Sequence, residues 1–399
     1  MSKSLGMKTL DLAKSSAPGW TRPAWREWLD RWLDRCLTSE RFYRWSVNNP
    51  FTRWVTRRRS RQVFDLMAGF VYSQILLACV RLKIFQRVQH QPQTLRALAQ
   101  HTEVSDAALQ RLLDSAVALK LLALRGDQRY GLGPLGAPVA AFPGIASMIE
   151  HHATLYQDLT DPVGLLRDVL TTPQMNGYWP YVSKPDTPHP PSAPGESFSR
   201  YSDLMSASQP FVVDEILAAY SFEDHRCVLD VGGGQGTFLS RLAAHAPHLK
   251  LHLFDLPPVA RLAELNFAQQ GLVDRAQASG GSFLGDALPS GADLVTLIRV
   301  AHDHPDQDVV TLLSAIYRAL PPGGTLLLAE PMAHESHQPP QGDAYFHFYL
   351  LAMGSGRLRT PHELSTLMKQ AGFCLIETVP TQIPLHTQIL VGRKSKCLP

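Results

Sequence analysis

From residue 227 onward, apolar runs of strand length alternate with stretches of helical periodicity. The runs are CVLDVG (227–232), LKLHLFDL (249–256), ADLVTLIRV (292–300) and GTLLLAE (324–330). Strands buried on both faces read as near-continuous apolar runs, and parallel neighbours need a long crossover between them, usually a helix. The pattern therefore predicts an α/β domain over residues 205–399, a doubly wound sheet of mostly parallel strands. The chain shows no internal repeat.

The first run ends in LDVGGGQG (229–236), and a helix opens directly behind it. Glycines at such a turn let the backbone approach a ligand, and a helix N-terminus favours negative charge. Two cofactor classes use this arrangement. A dinucleotide site wants G-x-G-x-x-G beneath the pyrophosphate. Here Gly232, Gly234 and Gly236 give G-x-G-x-G around Gly233, and Thr237 stands where the last dinucleotide glycine would be. The methionine end of S-adenosylmethionine carries an amine and a carboxylate instead. Asp230, just before the glycines, suits an amine better than a pyrophosphate; a carboxylate that only caps the turn is the alternative. Asp255, near the end of the second run, is placed to hold ribose hydroxyls and fits either cofactor.

After the third run comes VAHDHPD (300–306), with His302, Asp303, His304 and Asp306. An imidazole titrates near neutrality and can take a proton from a reacting hydroxyl. Neighbouring His and Asp can also bind metal, but an i, i+2 pair needs further ligands. The next histidines downstream, His334 and His337, have no cysteine nearby and nothing in the sequence ties them to this cluster, so no metal is expected.

Upstream lie three other regions. Residues 1–60 form a basic, tryptophan-rich arm: residues 20–61 hold eleven arginines, no lysine and four acidic groups, a local +7, together with six of the seven tryptophans. Trp25, Trp28 and Trp32 fall on one face of a helix. Such a face either packs on a partner domain or subunit, or lies in a lipid interface. Residues 61–170 read as mostly helical. FDLMAGFVYSQILLACVRL (64–82), interrupted by Asp65, Ser73, Gln74 and Arg81, is expected to be a buried helix rather than a membrane span. Residues 94–124 show helix, turn, helix, with Ser105 as an N-cap, and Gly126 and Asp127 suggest a following hairpin tip. That is a winged-helix pattern. The second helix sets Arg111 and Lys120 against Asp106 and Asp114, so it lacks the basic stripe of a DNA reader; packing or dimerisation is expected, not nucleic-acid binding. Residues 171–204, rich in Pro, Ser and Thr in their first thirty positions, read as a linker and substrate-side loop. Five scattered cysteines with no Cys-x-x-Cys pair fit a reducing cytoplasm, and the N-terminus lacks a secretory signal pattern.

Several of these stretches together resemble one family. LDVGGGQG, FDLPPV (254–259), GGSF (280–283), LPSGADLVTLIRVAHDHPD (288–306) and ALPPGGTLLLAEP (319–331) are similar to successive motifs of the S-adenosylmethionine-dependent O-methyltransferases of the plant-caffeate and bacterial-polyketide type. The resemblance covers roughly residues 61–395 and implies a Rossmann-like methyltransferase sheet behind a winged-helix dimerisation domain, hence a homodimer. It implies that His302 is the general base, with Asp303 beside it and Glu330 orienting it. It implies cofactor contacts from Asp230, Gly232, Gly233, Gly234, Gly236, Asp255, Leu256, Ser282, Phe283 and Arg299, and an acceptor flanked by Tyr201, Met205, Leu350 and Met353. Three departures stand out. His304 replaces a usual tryptophan, Ser282 replaces an aspartate at the adenine pocket, and Leu358 replaces a second glutamate, which leaves a more apolar pocket. The run RRRSRQVFDLMAGFVYSQILLACVRL (57–82) with the arm before it resembles one subgroup, the carotenoid 1-hydroxy O-methyltransferases of photosynthetic bacteria. An apolar small-molecule acceptor is then expected. So is a cytoplasmic enzyme with peripheral contact, through residues 20–61, on the inner face of the photosynthetic membrane. The rival readings are a methyltransferase for a phenolic polyketide or other small aromatic, a non-catalytic winged-helix regulator that binds S-adenosylmethionine, and a nicotinamide-dependent oxidoreductase.

Overall fold

The computed structural model describes residues 24–167, 169, 174–175, 209–335, 340–384 and 387–396. The linker expected over 171–204 lies almost wholly outside them, as do Tyr201, Met205 and His337. The chain divides into two compact units, Met1–Gln74 and Ile75–Pro399.

The first unit is helical. It contains α1 (Ala24–Leu37), α2 (Glu40–Asn48) and the opening turns of α3 (Arg53–Arg81). Ser39 caps α2 by accepting from the Phe42 N–H. Hydroxyls tie α2 to α3: Ser46 Oγ lies 2.9 Å from Thr56 Oγ1, and Tyr43 OH lies 3.0 Å from Ser60 Oγ. No residue of α1 is buried, and Trp25, Trp28 and Trp32 are all exposed. The expectation of a buried helix over 64–82 is corrected here. Leu77, Cys79 and Val80 are buried, whereas Val63, Phe64, Leu66, Met67 and Phe70 are exposed, Leu66 at 77% and Phe70 at 73%. Composition reveals an apolar helix but not what covers it. By length and composition alone, α3 is long and apolar enough to cross a membrane.

The second unit begins with the last turns of α3, followed by α4 (Ile84–Val88), α5 (Leu95–Ala99) and α6 (Asp106–Ala118). Ser105 N-caps α6 as expected, accepting from the Ala108 N–H. The hairpin is also present: β1 (Leu122–Arg125) pairs antiparallel with β2 (Arg129–Leu132) across a tip at Gly126–Gln128. Leu98 of α5 and Leu109, Leu113 and Ala116 of α6 close on Ile84, Phe85 and Leu122. Then come α7 (Gly136–Ala141), α8 (Pro143–Asp158) and α9 (Pro162–Leu166).

A helix over residues 209–219 (α10) leads into the α/β domain. Its strands are β3 (Cys227–Val231), β4 (Lys250–Asp255), β5 (Ala276–Gly280), β6 (Leu294–Ile298), β7 (Thr325–Glu330), β8 (Cys374–Val379) and β9 (Gln388–Arg393), in the sheet order β5-β4-β3-β6-β7-β9-β8. The first five in that order are parallel; β9 runs antiparallel to both β7 and β8. Connecting helices are α11 (Thr237–His245), α12 (Pro257–Gln269), α13 (Asp306–Ala319), α14 (Gln341–Met353) and α15 (Pro361–Gln370). β4 and β5 lie on one side of β3, and β6 and β7 on the other, so the strand order reverses between β3 and β6, and open α/β sheets bind ligands beyond the carboxyl ends of the strands at such a point.

Candidate active site

At the end of β3, Gly232, Gly234 and Gly236 all take positive φ, and Gly236 starts α11 from a left-handed cap. Gly233 has no room for a side chain: a Cβ there would lie 2.5 Å from Asp230 Oδ2 and 2.8 Å from Leu253 Cδ1. Asp230 is buried beneath the turn. Its Oδ1 accepts from Thr296 Oγ1 at 2.7 Å, while Oδ2 is buried with no partner. Burial pushes this carboxyl up to about 7, against the Thr296 hydrogen bond and with help from Asp255. An orphaned buried carboxylate oxygen under a glycine turn fits an ammonium group, as the amino-acid end of S-adenosylmethionine requires. Asp255 accepts from the Gly234 N–H at 2.8 Å and from the Leu256 N–H at 2.7 Å. Burial still raises it to about 6. A carboxylate has about four lone-pair sites, so acceptor capacity remains for ribose hydroxyls.

Beyond β5, the Ser282 N–H donates to Asp286 Oδ2 at 2.8 Å, and the Asp286 N–H donates back to Ser282 O at 2.7 Å. Ser282 carries no charge, yet this closed turn brings the Asp286 carboxylate against it. Phe283 sets its ring edge-on to His304, with centroids 5.2 Å apart and planes at 88°. Arg299, at φ 57°, turns the chain out of β6, so the expected run to residue 300 stops at Ile298. Its charge reaches Tyr345 on α14, whose phenol burial raises and Arg299 lowers. Tyr345 in turn lies 2.7 Å from His152 Nε2.

His302 and Asp303 sit in a buried 3-10 turn, Ala301–Asp303. Glu330, at the end of β7, is completely buried, which excludes a solvated strand-end carboxylate. Its Oε2 accepts from the His302 backbone N–H at 3.0 Å and lies 3.3 Å from His302 Nδ1. On the other side of the ring, Nε2 lies 3.1 Å from Asp303 Oδ1. Burial alone would depress this imidazole, but Asp303 and then Glu330 outweigh it and hold it at about 9. His304 is instead lowered, chiefly by burial. An imidazole between two carboxylates is a strong proton acceptor, because both stabilise the ion that results.

Leu350, Met353 and Leu358 are all buried and meet in one apolar cluster with Tyr349, Leu155, Leu165 and Met175. Leu358, where a second glutamate was expected from the resemblance, therefore adds hydrocarbon rather than charge. Sequence reasoning missed Thr296, and it missed Arg359, a fully buried arginine that donates to the carbonyls of Ala301 and His304. The alternation Arg357–Leu358–Arg359 was the signal available, and it reads equally as a polar loop.

Comparison with known proteins gives this arrangement a family. Residues 192–374 match the O-methyltransferase domain model and residues 64–139 the O-methyltransferase dimerisation domain model. The chain is 39% identical over 346 residues to the demethylspheroidene O-methyltransferase of Cereibacter sphaeroides, covering 87% of this chain and 90% of that protein. It is 38% identical over 365 residues to the enzyme of the same name from Rhodobacter capsulatus, covering 90% of this chain and 88% of that protein. Among solved structures, human N-acetylserotonin methyltransferase in complex with SAM shares the fold, with a TM-score of 0.70 at 24% identity over 84% of this chain and 98% of that one. The dimerisation domain match, which begins at residue 64, supports a homodimer, and the O-methyltransferase domain acts on a small molecule. The chain belongs to the S-adenosylmethionine-dependent O-methyltransferases.

Proposed function

We propose that the enzyme methylates the 1-hydroxyl of an acyclic hydroxycarotenoid of the demethylspheroidene or hydroxyneurosporene type. The observation that carries this reading is the 38–39% identity, over nearly the full length, to two demethylspheroidene O-methyltransferases. The apolar cluster of Leu350, Met353 and Leu358 supports it, since a long hydrocarbon needs such a wall. In this reading the chain has four parts: the arm (1–60), the dimerisation domain (61–170), a linker (171–204) to which Tyr201 belongs and a catalytic domain (205–399) in which Met205 falls at the start.

S-adenosylmethionine supplies an electrophilic methyl group on sulfonium sulfur. Asp230 and the turn Gly232–Gly236 would hold its amino-acid end, Asp255 and Leu256 the ribose, and Ser282, Phe283 and Arg299 would complete the cofactor contacts on the adenine side. In its deprotonated form His302 takes the acceptor's proton, and Asp303 and Glu330 orient the ring and stabilise it once charged. A tertiary alcohol is a far weaker acid than a phenol, so proton loss accompanies or follows C–O bond formation. Much of the rate then comes from alignment of oxygen, methyl and sulfur. Mass spectrometry tests the assignment: purified enzyme with S-adenosylmethionine and a 1-hydroxy acyclic carotenoid in detergent should give a product heavier by one methylene. Cofactor binding without product would overturn the acceptor and leave the family intact.

The arm has a role in the same reading. Trp25, Trp28 and Trp32 form an exposed face on α1 within a segment of local charge +7, which suits an anionic lipid surface where an apolar substrate dissolves. The enzyme would then work as a cytoplasmic, peripheral protein on the inner face of the photosynthetic membrane. Flotation with anionic liposomes should be lost on deletion of residues 1–60; equal flotation removes the arm from this role.

A further inference from the structure

The turn that carries His302 has little support of its own. A single 3-10 turn after a strand leaves carbonyls that need donors from elsewhere. One segment, residues 355–359, donates to all four carbonyls from Ala301 to His304, of which the Ala301 oxygen also accepts from the His304 N–H within the turn. Arg359 Nη1 donates to Ala301 O at 2.8 Å, and Nη2 donates to His304 O at 2.6 Å. The Arg357 backbone N–H donates to His302 O at 3.0 Å, and Ser355 Oγ donates to Asp303 O at 2.5 Å. Gly356 allows so close a pass: it sits at φ 75°, and a Cβ there would collide with the His302 carbonyl oxygen.

Arg359 is the centre of this strap. Its side chain is fully buried, and its Nε donates to Asp306 Oδ1 at 2.8 Å, so the charge is paired while both terminal nitrogens face the turn. The planar guanidinium fork suits two fixed carbonyls in a way that a lysine ammonium cannot. We infer that Arg359 is a positioning residue for methyl transfer: bridging the carbonyls on either side of His302–Asp303, it keeps the imidazole fixed between Asp303 and Glu330. The inference rests on His302 acting at the reacting oxygen and not on which acceptor is used.

The test is a histidine-selective NMR titration of the full-length parent and Arg359→Lys, with His302→Gln identifying the resonance. The parent should keep His302 protonated to about pH 9. In Arg359→Lys the midpoint should fall toward the ordinary imidazole value of about 6.5, because the ring loses its fixed partners. In the same preparations kcat should fall on the order of 10²-fold, the cost of a misplacement near 1 Å, while Kd for S-adenosylhomocysteine stays within about threefold. A folded Arg359→Lys with an unmoved midpoint overturns the inference, whatever happens to kcat. Should the arginine variants not fold, Ser355→Ala removes one carbonyl bond at a partly buried site; a lowered midpoint supports the strap and an unmoved one overturns it. The titration needs no acceptor, so an incorrect carotenoid assignment shows separately, as a parent enzyme that does not turn over.

Discussion

Among the described residues, His302 should be the main route by which raising the pH weakens the fold over one narrow window. The imidazole stands at about 9 in the folded protein and is 9% exposed at the side chain. In the unfolded chain it titrates near 6.5. A histidine raised in this way contributes stability that is complete below its unfolded value and is lost as the pH climbs through the folded one. Integrated between about pH 7 and about pH 9, the loss is roughly 2 kcal/mol. Other shifted groups act outside the window. Asp230, raised to about 7, has exerted most of its effect below it, and His151, held down to about 4, acts lower still. Cys79, pushed up to about 12, acts above it. The assay is urea unfolding of parent and His302→Gln at matched protein concentration, because a dimer's stability depends on concentration. It should be read by far-UV circular dichroism, since six of the seven tryptophans lie in residues 20–61 and fluorescence would report the arm. The difference between the two proteins should shrink by that amount as the pH rises. Parallel curves from pH 7 to pH 9 would refute the carboxylate clamp.

Other outcomes follow from the same geometry. If His302 must be deprotonated to act, kcat/KM, which reports the free enzyme, should climb through a half-maximal value near about pH 9 and level off above it; a profile flat from pH 6 upward would remove His302 as the base. Gly233→Ala would push a methyl against Asp230 Oδ2 and Leu253, and should abolish S-adenosylmethionine binding in equilibrium dialysis while the protein stays folded. Met353→Ala empties part of a buried cluster and should cost about 2–5 kcal/mol in urea denaturation, together with a raised KM for an apolar acceptor.

The parts legible in the sequence were those whose signal is local. LDVGGGQG announced the glycine turn after β3 because glycine spacing and the flanking strand are contiguous. The four apolar runs became β3, β4, β6 and β7. β5 escaped because AQASG is small and half polar, and β8 because it is an edge strand with exposed positions and a register shift between Cys374 and Glu377. The hydrogen bond that holds Asp230 Oδ1 comes from Thr296, 66 residues away, and no periodicity links them. Arg359 and His302 are likewise joined only by the fold. The apolar stretch at 64–82 was visible as helix, but its exposure is a property of the uncovered face, which composition does not encode.

One arrangement has a practical consequence for redesign. α14 ends at Met353, Gly354 closes it with φ 80°, and Ser355 is already bonded to the turn that carries His302. The wall of the apolar cluster and the brace behind His302 are thus a single uninterrupted run of chain. A chimera that imports residues 341–353 from another methyltransferase places its splice one or two residues from that brace. If the new helix ends one residue early or late, Gly356 no longer lies opposite the His302 carbonyl and a side chain is forced into it. Acceptor choice and base alignment are therefore not separable modules here. A graft that is to change the first and keep the second must preserve the count of residues from the end of α14 to Arg359.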